Sequence, residues 1–422
     1  MSRTRMSAVH SRTWYDDTSV SPGWQSSPVI HNENFDFCII GGGLAGLSCA
    51  YHLAEKGASV ALLEKSDIGA GASGRNGGFC STGWAANNLQ ICRVIGENYS
   101  TEFEALGLEG LNWMRQRAFS RRYSKAEAVE GVISLGLSKN TPEDLKVLTK
   151  DKLEEFVIGP RYRWGIVDKS AFHFHPLNFL RIFAEETQKI GVKIIENIGL
   201  VKTNKTGVIS SGGINLRCKR IVWATGGYGL DSNSILKKLV LPIQTFICVT
   251  SPMGALLDKY IPTNMALGDD RRAGNYFRRL PDGRLLWGMG VSAMQQKPIH
   301  KIRSMGLQNI KAHFPEMVHH MEKDRITIDY AWSGLMAYAS HLLPVVGQIN
   351  DREFSLCGFG GHGMNTAPIV GKKMASFLTG DSNSLDLFSR IPKQKTYGLL
   401  GRLGAEIEYR RLSFLDYLSE RY

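Results

Sequence analysis

A glycine motif near the N-terminus constrains the fold of this 422-residue chain more than any other feature. Residues 36–40 form a mostly apolar run, typical of a buried parallel strand, and the sequence GGGLAG at 41–46 follows at once. Helical spacing comes next, and a second apolar strand at 59–63 ends in Glu64. This is the βαβ dinucleotide-binding fingerprint. A carboxylate at position 64 would repel a 2′-phosphate, so NADP is disfavoured, whereas NAD and FAD both remain open.

Two later glycine-rich segments, at 224–229 and 358–365, also follow apolar strand-like runs. A compact nicotinamide-binding domain would not need them. Three separated segments of this kind indicate one cofactor held by discontinuous parts of the chain. A second domain is then assembled from the intervening residues.

Composition excludes several classes of protein. Hydrophobic residues make up 43% and charged residues 21%, a balance that supports a full core. No apolar run is as long as a membrane span. The net charge of +12 is spread along the chain, which favours a basic surface that attracts anionic ligands over a nucleic-acid site. The seven cysteines are scattered without a CxxC pair, which indicates reduced, buried thiols in a reducing compartment.

The first 34 residues are polar and basic at the start, as in an organellar transit peptide. Trp14, Tyr15 and Trp24 are instead typical of an ordered arm that packs on the domain. We therefore expect a cytoplasmic protein with an N-terminal arm.

Further along, the sequence alternates between the two kinds of secondary structure. A helix is predicted over 99–126, and another begins at His175-Pro176. Residues 275–292 predict a hairpin that turns at Pro281-Asp282-Gly283. The other predicted strands lie at 130–136, 162–167, 192–217 and 241–252. The fold class is α/β (α+β overall), with a Rossmann-like βαβ domain and a discontinuous second domain on a mixed or antiparallel sheet.

The sequence resembles the FAD-dependent oxidoreductases typified by D-amino acid oxidase, glycine oxidase and sarcosine oxidase, over residues 35–422. The segments that carry the resemblance, besides 41–46 and Glu64, are GASGRNGG at 71–78, VWATGG at 222–227, LPVVG at 343–347 and GFGGHGMNTAP at 358–368. Within the family it is most similar to gamma-glutamylputrescine oxidase and related amine oxidases. WYDDTS in the arm, NYFRRLPDGRLLWGMG at 275–290 and EYRRLSFLDYL at 408–418 carry that closer likeness.

The resemblance implies a discontinuous FAD-binding domain at 35–98, 160–232 and 335–400. It also implies a substrate-binding domain at 99–159 and 233–334, between an arm at 1–34 and a C-terminal helix at 401–422. FAD is expected to be non-covalent, because the segment 332–344 lacks the cysteine that tethers flavin in monomeric sarcosine oxidases. The implied cofactor-binding residues are Gly41, Gly43, Leu44, Ala45, Gly46, Glu64, Lys65, Ser73, Gly74, Arg75, Asn76, Gly77, Gly78, Val201, Ala224, Thr225, Gly226, Gly361, His362, Gly363, Met364 and Asn365.

The implied activity is that of an FAD-dependent oxidoreductase acting on CH–NH or CH–NH2 groups. Hydride transfer to flavin N5 leaves an imine that water hydrolyses, and O2 takes the electrons to give H2O2. A secondary or gamma-glutamylated amine is the expected substrate. The alternatives are a D-amino acid or pipecolate/proline-like dehydrogenase that passes electrons to a quinone, and a flavoprotein without turnover.

Three residues are candidates for the chemistry or for the substrate: His362, Tyr276 and Arg278. Tyr276 and Arg278 share one face of a predicted strand, and an arginine there could bind a substrate carboxylate, although a solvated strand edge is equally open. Trp287 and Trp332 are candidates for an aromatic cage, against ordinary core packing. His173 and His175 alternate on one face of a predicted strand, but they lack a third ligand at metal spacing, so no metal is expected.

The remaining partners follow from these expectations. They are a small amine or amino-acid substrate and O2 or another electron acceptor, without nucleic acid and without stable membrane insertion. The oligomeric state stays open. The amphipathic C-terminal segment could contact a membrane, but docking on its own protein is favoured.

Overall fold

A computed structural model of the chain describes residues 11–28, 32–139, 141–142, 146–210, 212–271, 274–294 and 296–421. The helices are α1 Trp14–Thr18, α2 Leu44–Glu55, α3 Ala72–Arg75, α4 Asn88–Ile95, α5 Glu97–Ala118, α6 Lys150–Leu153, α7 Pro176–Lys189, α8 Leu236–Leu239, α9 Ala255–Tyr260, α10 Ile299–His313, α11 Pro315–Lys323, α12 Gly363–Leu378, α13 Asp386–Ser389 and α14 Leu399–Arg421. The strands are β1 Asn34–Ile40, β2 Val60–Leu63, β3 Phe79–Cys80, β4 Val129–Gly136, β5 Trp164–His173, β6 Lys193–Ile195, β7 Val201–Thr203, β8 Gly207–Ser210, β9 Asn215–Trp223, β10 Leu241–Thr250, β11 Ala266–Asp269, β12 Tyr276–Arg279, β13 Leu285–Ser292, β14 Ile328–Tyr338, β15 Val345–Gln348 and β16 Glu353–Cys357.

The first sheet has the strand order β15-β16-β9-β1-β2-β6, with β7 and β8 attached at β9. The five strands β16, β9, β1, β2 and β6 run parallel, and β15 pairs antiparallel at the edge. Their apolar runs are buried on both faces, as parallel sheets require. Because β1 is central, the glycine turn that follows it lies in the middle of the carboxyl edge.

The second sheet has the order β14-β10-β13-β12-β11-β4-β5-β3. Its neighbours pair antiparallel except β11 and β4, which run parallel. The predicted hairpin is confirmed: Arg279 pairs with Leu285, and the Gly283 N–H donates to the Leu280 carbonyl oxygen at 3.0 Å. Together the two sheets confirm the predicted fold class.

Two elements fall on the other side of the predicted domain boundaries. Helix α5 packs on α12 and α4, and its apolar residues Phe103 and Leu111 join the core beneath the first sheet. Strand β5 belongs to the second sheet, although it lies within the segment assigned to FAD binding. The order of segments along the sequence does not show that α5 and β5 pack with the other domain, because each packs on residues far away in the chain. The division into domains stays a prediction.

The N-terminal arm packs on the rest of the protein, as predicted: α1 contacts the second sheet, whereas Trp24 joins the core of the first. Trp14, Tyr15 and Trp24 are all buried. Thr13 begins α1 with a capping box, in which Thr13 Oγ1 accepts from the Asp16 N–H and Asp16 accepts from the Thr13 N–H. Residues 1–10 and 29–31 of the predicted arm lie outside the described residues.

The predictions for the thiols and the C-terminal helix are also confirmed. All seven cysteines are free thiols, and six are buried. Helix α14 docks on the second sheet, where Glu406 accepts from the Ala293 N–H at 2.9 Å and from Ser292 Oγ at 3.1 Å. Its outer face leaves Leu403, Ile407 and Phe414 exposed. Of the helices in the described ranges, none is long and apolar enough to cross a membrane.

Candidate functional site

The predicted glycine segments meet at the carboxyl edge of the first sheet. The Gly41 N–H donates to the Leu63 carbonyl oxygen and the Ala224 N–H to the Ile40 carbonyl oxygen, both at 2.8 Å. Strand β16, which precedes the glycines at 358–361, pairs with β9 beside them. Ligands of open parallel sheets bind at this edge, where the strand ends diverge.

The glycine turn after β1 has no room for side chains at two positions. Gly41 has φ +115°, and a Cβ there would lie 2.5 Å from the Ala224 carbonyl oxygen. A Cβ on Gly46 would lie 2.0 Å from the Gly41 carbonyl oxygen, so only glycine lets α2 pack on the turn. Gly43 is the N-cap of α2, without a side-chain cap, which leaves N–H groups of the first turn for a ligand.

Glu64 stands at the end of β2 and holds the same turn. Its Oε2 accepts from the Gly42 N–H at 2.7 Å, and its Oε1 accepts from the Ser66 N–H at 2.9 Å. Burial raises the pKa of the carboxyl group above its usual value, against the opposing effect of these hydrogen bonds. A carboxylate has further lone pairs, so Glu64 can still accept from a ribose hydroxyl.

The predicted adenine side lies next to Glu64. The Gly199 N–H lies 3.5 Å from the Lys65 carbonyl oxygen, and β7 begins two residues later at Val201, which is buried. The sequence does not predict that residues 199–201 lie beside Lys65, because their position depends on the pairing of β6 with β2.

The segment Ser73–Gly78 joins the starts of α2 and α12. Ser73 Oγ accepts from the Leu44 N–H at 3.0 Å. The Asn76 side chain accepts from the Gly78 N–H at 2.7 Å and reaches Met364 Sδ at 3.3 Å. A Cβ on Gly74 would lie 2.2 Å from the Gly69 carbonyl oxygen, which shows how closely this segment folds.

The Arg75 side chain is buried, and not all of its hydrogen-bond donors have a partner. Its Nη1 donates to the Ser333 carbonyl oxygen at 3.1 Å, and its own carbonyl oxygen accepts from Trp332 Nε1 at 2.8 Å. Its Nε has no partner among the described residues. A buried donor without a partner is costly in a protein, so this atom fits an acceptor brought by a ligand.

The third glycine segment leads into α12, with His362 as its N-cap. The side chain of His362 is accessible at the surface, but the protein atoms around the imidazole desolvate it and lower its pKa. Its Nδ1 lies 3.4 Å from the Gly360 carbonyl oxygen. The Asn365 side chain is buried and donates to the Gly83 carbonyl oxygen at 3.0 Å.

Tyr276 and Arg278 both contact Gly77 from β12. A Cβ on Gly77 would lie 2.6 Å from the Tyr276 ring, and Arg278 Nε donates to the Gly77 carbonyl oxygen at 2.8 Å. The Arg278 Nη2 group donates to the Phe174 carbonyl oxygen and to the Tyr15 hydroxyl, each at 3.2 Å. Its Nη1 lies 3.3 Å from His173 Nδ1.

The comparisons with known proteins agree with this geometry. The family model described as DAO, FAD dependent oxidoreductase, matches residues 36–377. The chain belongs to this family.

Individual relatives give the same result. The probable oxidoreductase OrdL of Haemophilus influenzae is 28% identical, over 96% of this chain and 97% of the relative. Gamma-glutamylputrescine oxidoreductase of Escherichia coli is 27% identical, over 85% of this chain and 86% of the relative. The crystal structure of glycine oxidase from Bacillus cereus matches with a TM-score of 0.64 at 21% identity, over 85% of this chain and 99% of that one. The predicted family, enzyme class and cofactor FAD are therefore confirmed.

The residues of this FAD-dependent oxidoreductase fit its cofactor. Helices α2 and α12 both begin at the same sheet edge, where their N-termini favour phosphate and reduced, anionic flavin. A Cβ on Gly226 would meet nothing within 4 Å, so the segment after β9 borders open space. The unpartnered Nε of Arg75 adds a donor. The individual contacts to FAD stay predictions.

Other candidates of this oxidoreductase lie away from the flavin-binding edge. Trp287 packs in the core behind the second sheet, where its Nε1 donates to Asn309 Oδ1 at 3.1 Å. His173 ends β5, whereas His175 is the N-cap of α7 and accepts from the Asn178 N–H at 3.1 Å. Burial lowers the pKa of each imidazole to about 3. The two therefore do not share a strand face as predicted.

Strand β14 contributes residues to the site that were not among the predicted candidates, apart from Trp332. A Cβ added to Gly334 would lie 3.7 Å from Arg75 Cδ. A Cβ added to Gly361 would lie 3.0 Å from Met336 Sδ and 3.3 Å from the Tyr338 hydroxyl. The Tyr228 hydroxyl accepts from the Leu335 N–H at 2.8 Å. The alternation of Trp332, Gly334, Met336 and Tyr338 was a period-2 signal for a strand face directed at the cofactor.

Proposed function

We propose that this protein oxidises the C–N bond of a small amine or amino acid, with a secondary or gamma-glutamylated amine as substrate and O2 as the electron acceptor. The observation that carries the proposal is the packing of the third glycine segment, which leads into His362, on strand β14. A Cβ on Gly361 would lie 3.0 Å from Met336 Sδ and 3.3 Å from the Tyr338 hydroxyl, so these side chains come together with His362 at the start of α12. The names of the relatives in Escherichia coli and Bacillus cereus support C–N chemistry.

The aromatic side chains of Tyr276 and Phe79, which both pack on Gly77, suit an amine with an apolar body. Tyr276 lies edge-on to Phe79, with ring centroids 5.6 Å apart. Aromatic faces attract a cationic or partly charged amine, and they exclude water from the carbon that is oxidised. Bound FAD supplies the acceptor for the hydride equivalent that this carbon loses.

His362 is suited to handle the proton of the substrate. An amine must be neutral before its α-carbon can be oxidised, so the substrate ammonium has to lose a proton. Because desolvation lowers the pKa of His362, its imidazole is neutral near pH 7 and can accept that proton. We assign this role to His362 as general base.

Arg278 acts behind the substrate rather than on it. Its guanidinium already donates to the carbonyl oxygens of Gly77 and Phe174 and to the Tyr15 hydroxyl. A substrate carboxylate would have to displace these partners, so we expect Arg278 to position Gly77 and its neighbours.

A second candidate is a dehydrogenase of D-amino acids or pipecolate/proline-like substrates that passes electrons to a quinone. The exposed Leu403, Ile407 and Phe414 on α14 favour it, because an apolar helix face can lie on a membrane surface. Activity that sediments with membranes, without H2O2, would support this candidate over the first.

The test is anaerobic reduction of the FAD-loaded protein by a panel of amines, followed by admission of air. We expect a secondary or gamma-glutamylated amine to bleach the flavin absorbance and air to restore it with one H2O2 per amine. A His362→Gln variant should bind FAD but lose the rise of the reduction rate with pH. A panel in which no amine or amino acid bleaches the flavin would contradict the proposed function.

A further inference from the structure

The N-terminal helix α1 reaches the flavin-binding segment from behind, although it lies outside the residues matched by the family model. Tyr15 is fully buried, with 0% of its surface exposed. Its hydroxyl accepts from Arg278 Nη2 at 3.2 Å, and its ring lies edge-on to Trp332, with centroids 5.9 Å apart.

Both neighbours of Tyr15 bind the backbone of the same segment. Arg278 Nε donates to the Gly77 carbonyl oxygen, and Trp332 Nε1 donates to the Arg75 carbonyl oxygen, each at 2.8 Å. One tyrosine thus contacts the two side chains that fix two alternate carbonyl groups of Ser73–Gly78. Each bond sets the orientation of a peptide plane in that segment.

The rest of α1 is fixed to the second sheet and to the start of α7. Trp14 Nε1 donates to Asp282 Oδ2 at 2.8 Å in the β12–β13 turn, and Thr18 Oγ1 lies 3.1 Å from His175 Nε2. The Tyr330 hydroxyl donates to Asp17 at 2.8 Å on the outer side of the helix. The arm therefore cannot shift without disturbing the sheet.

We propose that α1 is a positioning element for FAD binding, in which Tyr15 holds Arg278 and Trp332 so that they present Ser73–Gly78 to the flavin. The inference rests on the proposed place of Ser73–Gly78 at the cofactor. The residues that touch FAD are those of the segment, and Tyr15 acts through its two neighbours.

The test measures FAD affinity on the full chain by titrating the apoprotein and following flavin fluorescence. We expect Tyr15→Phe to raise the dissociation constant about threefold and Tyr15→Ala at least about tenfold, because the second variant also frees Trp332. The absorption bands of bound flavin should shift in the same order. Tyr330→Phe is the matched control, since it removes another hydroxyl that contacts α1 but leaves Arg278 untouched, and its affinity should equal that of the parent protein.

Two outcomes distinguish a failure of this inference from a failure of its premise, the place of Ser73–Gly78 at FAD. If Tyr15→Phe and Tyr15→Ala lower only the melting temperature of the apoprotein, with unchanged affinity and flavin spectrum, the arm is merely structural and the inference is overturned. Ser73→Ala and Arg75→Ala alter the segment directly. If these two also leave FAD affinity unchanged, the proposed place of Ser73–Gly78 at the flavin is wrong as well.

Discussion

The two sheets contribute to the site in different ways. At the edge of the first sheet the backbone forms the site, and side chains are excluded, as at Gly41 and Gly46. On the second sheet side chains form the site: Arg278 holds Gly77, and Trp332 holds Arg75. A local glycine pattern therefore specifies the first region, whereas the second depends on contacts between residues as far apart as Tyr15 and Arg278.

The first region suits a ligand of constant shape, because a dinucleotide presents the same phosphates in every such protein and free N–H groups at helix N-termini suit all of them. The second region instead fixes the backbone of Ser73–Gly78 through the side chains of Arg278 and Trp332. The following substitutions test how strict this separation is.

The largest effect is expected for Gly46→Val. Its Cβ would lie 2.0 Å from the Gly41 carbonyl oxygen, and neither backbone can yield without opening the turn. We expect FAD binding to be lost and the free energy of unfolding to fall by about 3 kcal/mol, measured by flavin absorbance and by urea denaturation. Gly404→Ala is the control, because an added Cβ there meets nothing within 4 Å. A Gly46→Val protein that purifies with bound FAD, and is therefore yellow, would show that the first region does not depend on the absence of a side chain at position 46.

Arg278→Met should have the next largest effect. The substitution leaves the carbonyl oxygens of Gly77 and Phe174 without a donor, so we expect a loss of about 3 kcal/mol in the free energy of unfolding. Arg279→Met is the matched control on the adjacent residue, whose ion pair with Asp258 is at the surface. Its cost should stay below about 1 kcal/mol. Equal costs in urea denaturation would show that Arg278 does not anchor the second region.

An effect of smaller size per pH unit concerns the acid stability of the start of α7, where His175 contacts α1. Burial lowers the pKa of His175 to about 3, so the folded state keeps this imidazole neutral while the unfolded state binds a proton below about pH 6.5. Stability is therefore present above that pH and is lost as the pH falls toward 3, by up to about 1.4 kcal/mol per pH unit for one histidine. His175→Asn keeps an N-cap acceptor and should flatten the pH dependence by that amount between pH 4 and 6. Equal slopes for the parent protein and for His175→Asn would refute the expectation.

The smallest effect is expected for Tyr276→Phe. The ring packs on Gly77 and Gly288, and the change removes only the hydroxyl, which bonds to Thr245. We expect kcat/KM for the best amine to fall less than about tenfold, with FAD affinity unchanged. A loss greater than about a hundredfold would instead give the hydroxyl a part in the chemistry. Tyr397→Phe, at an exposed position, is the control.

The sequence predicts the site where local patterns determine the structure. Strand β1, the turn at Gly41–Gly46, α2 and Glu64 at the end of β2 all form as predicted, because each depends on neighbours in the chain. The β12–β13 hairpin follows equally from Pro281-Asp282-Gly283. These elements establish the βαβ unit, the glycine turn at the carboxyl edge of the first sheet, and one hairpin of the second sheet.

The parts that the sequence could not predict depend on distant pairing. The alternation of Trp332, Gly334 and Met336 becomes part of the site only because β14 pairs with β10 and lies over Arg75. The partners of Arg278 come from α1, the Gly77 turn and β5, which no periodicity connects. His175 was expected on a strand face, but the following proline favours the start of a helix and makes it an N-cap.

The order of the strands in the first sheet also bears on how the enzyme acquires its cofactor during synthesis. The central strand β1 is made early, but one of its flanking neighbours, β9, and then β16 and the start of α12 leave the ribosome much later. A nascent chain that has reached only β2 holds the glycine turn without the segments that enclose the ligand. Strand β2 can pair with β1 soon after it is made, whereas the other edge of β1 has no neighbour until β9 follows. An apolar strand edge left open during this interval can pair with another chain, so aggregation of the nascent protein is expected to begin at that edge.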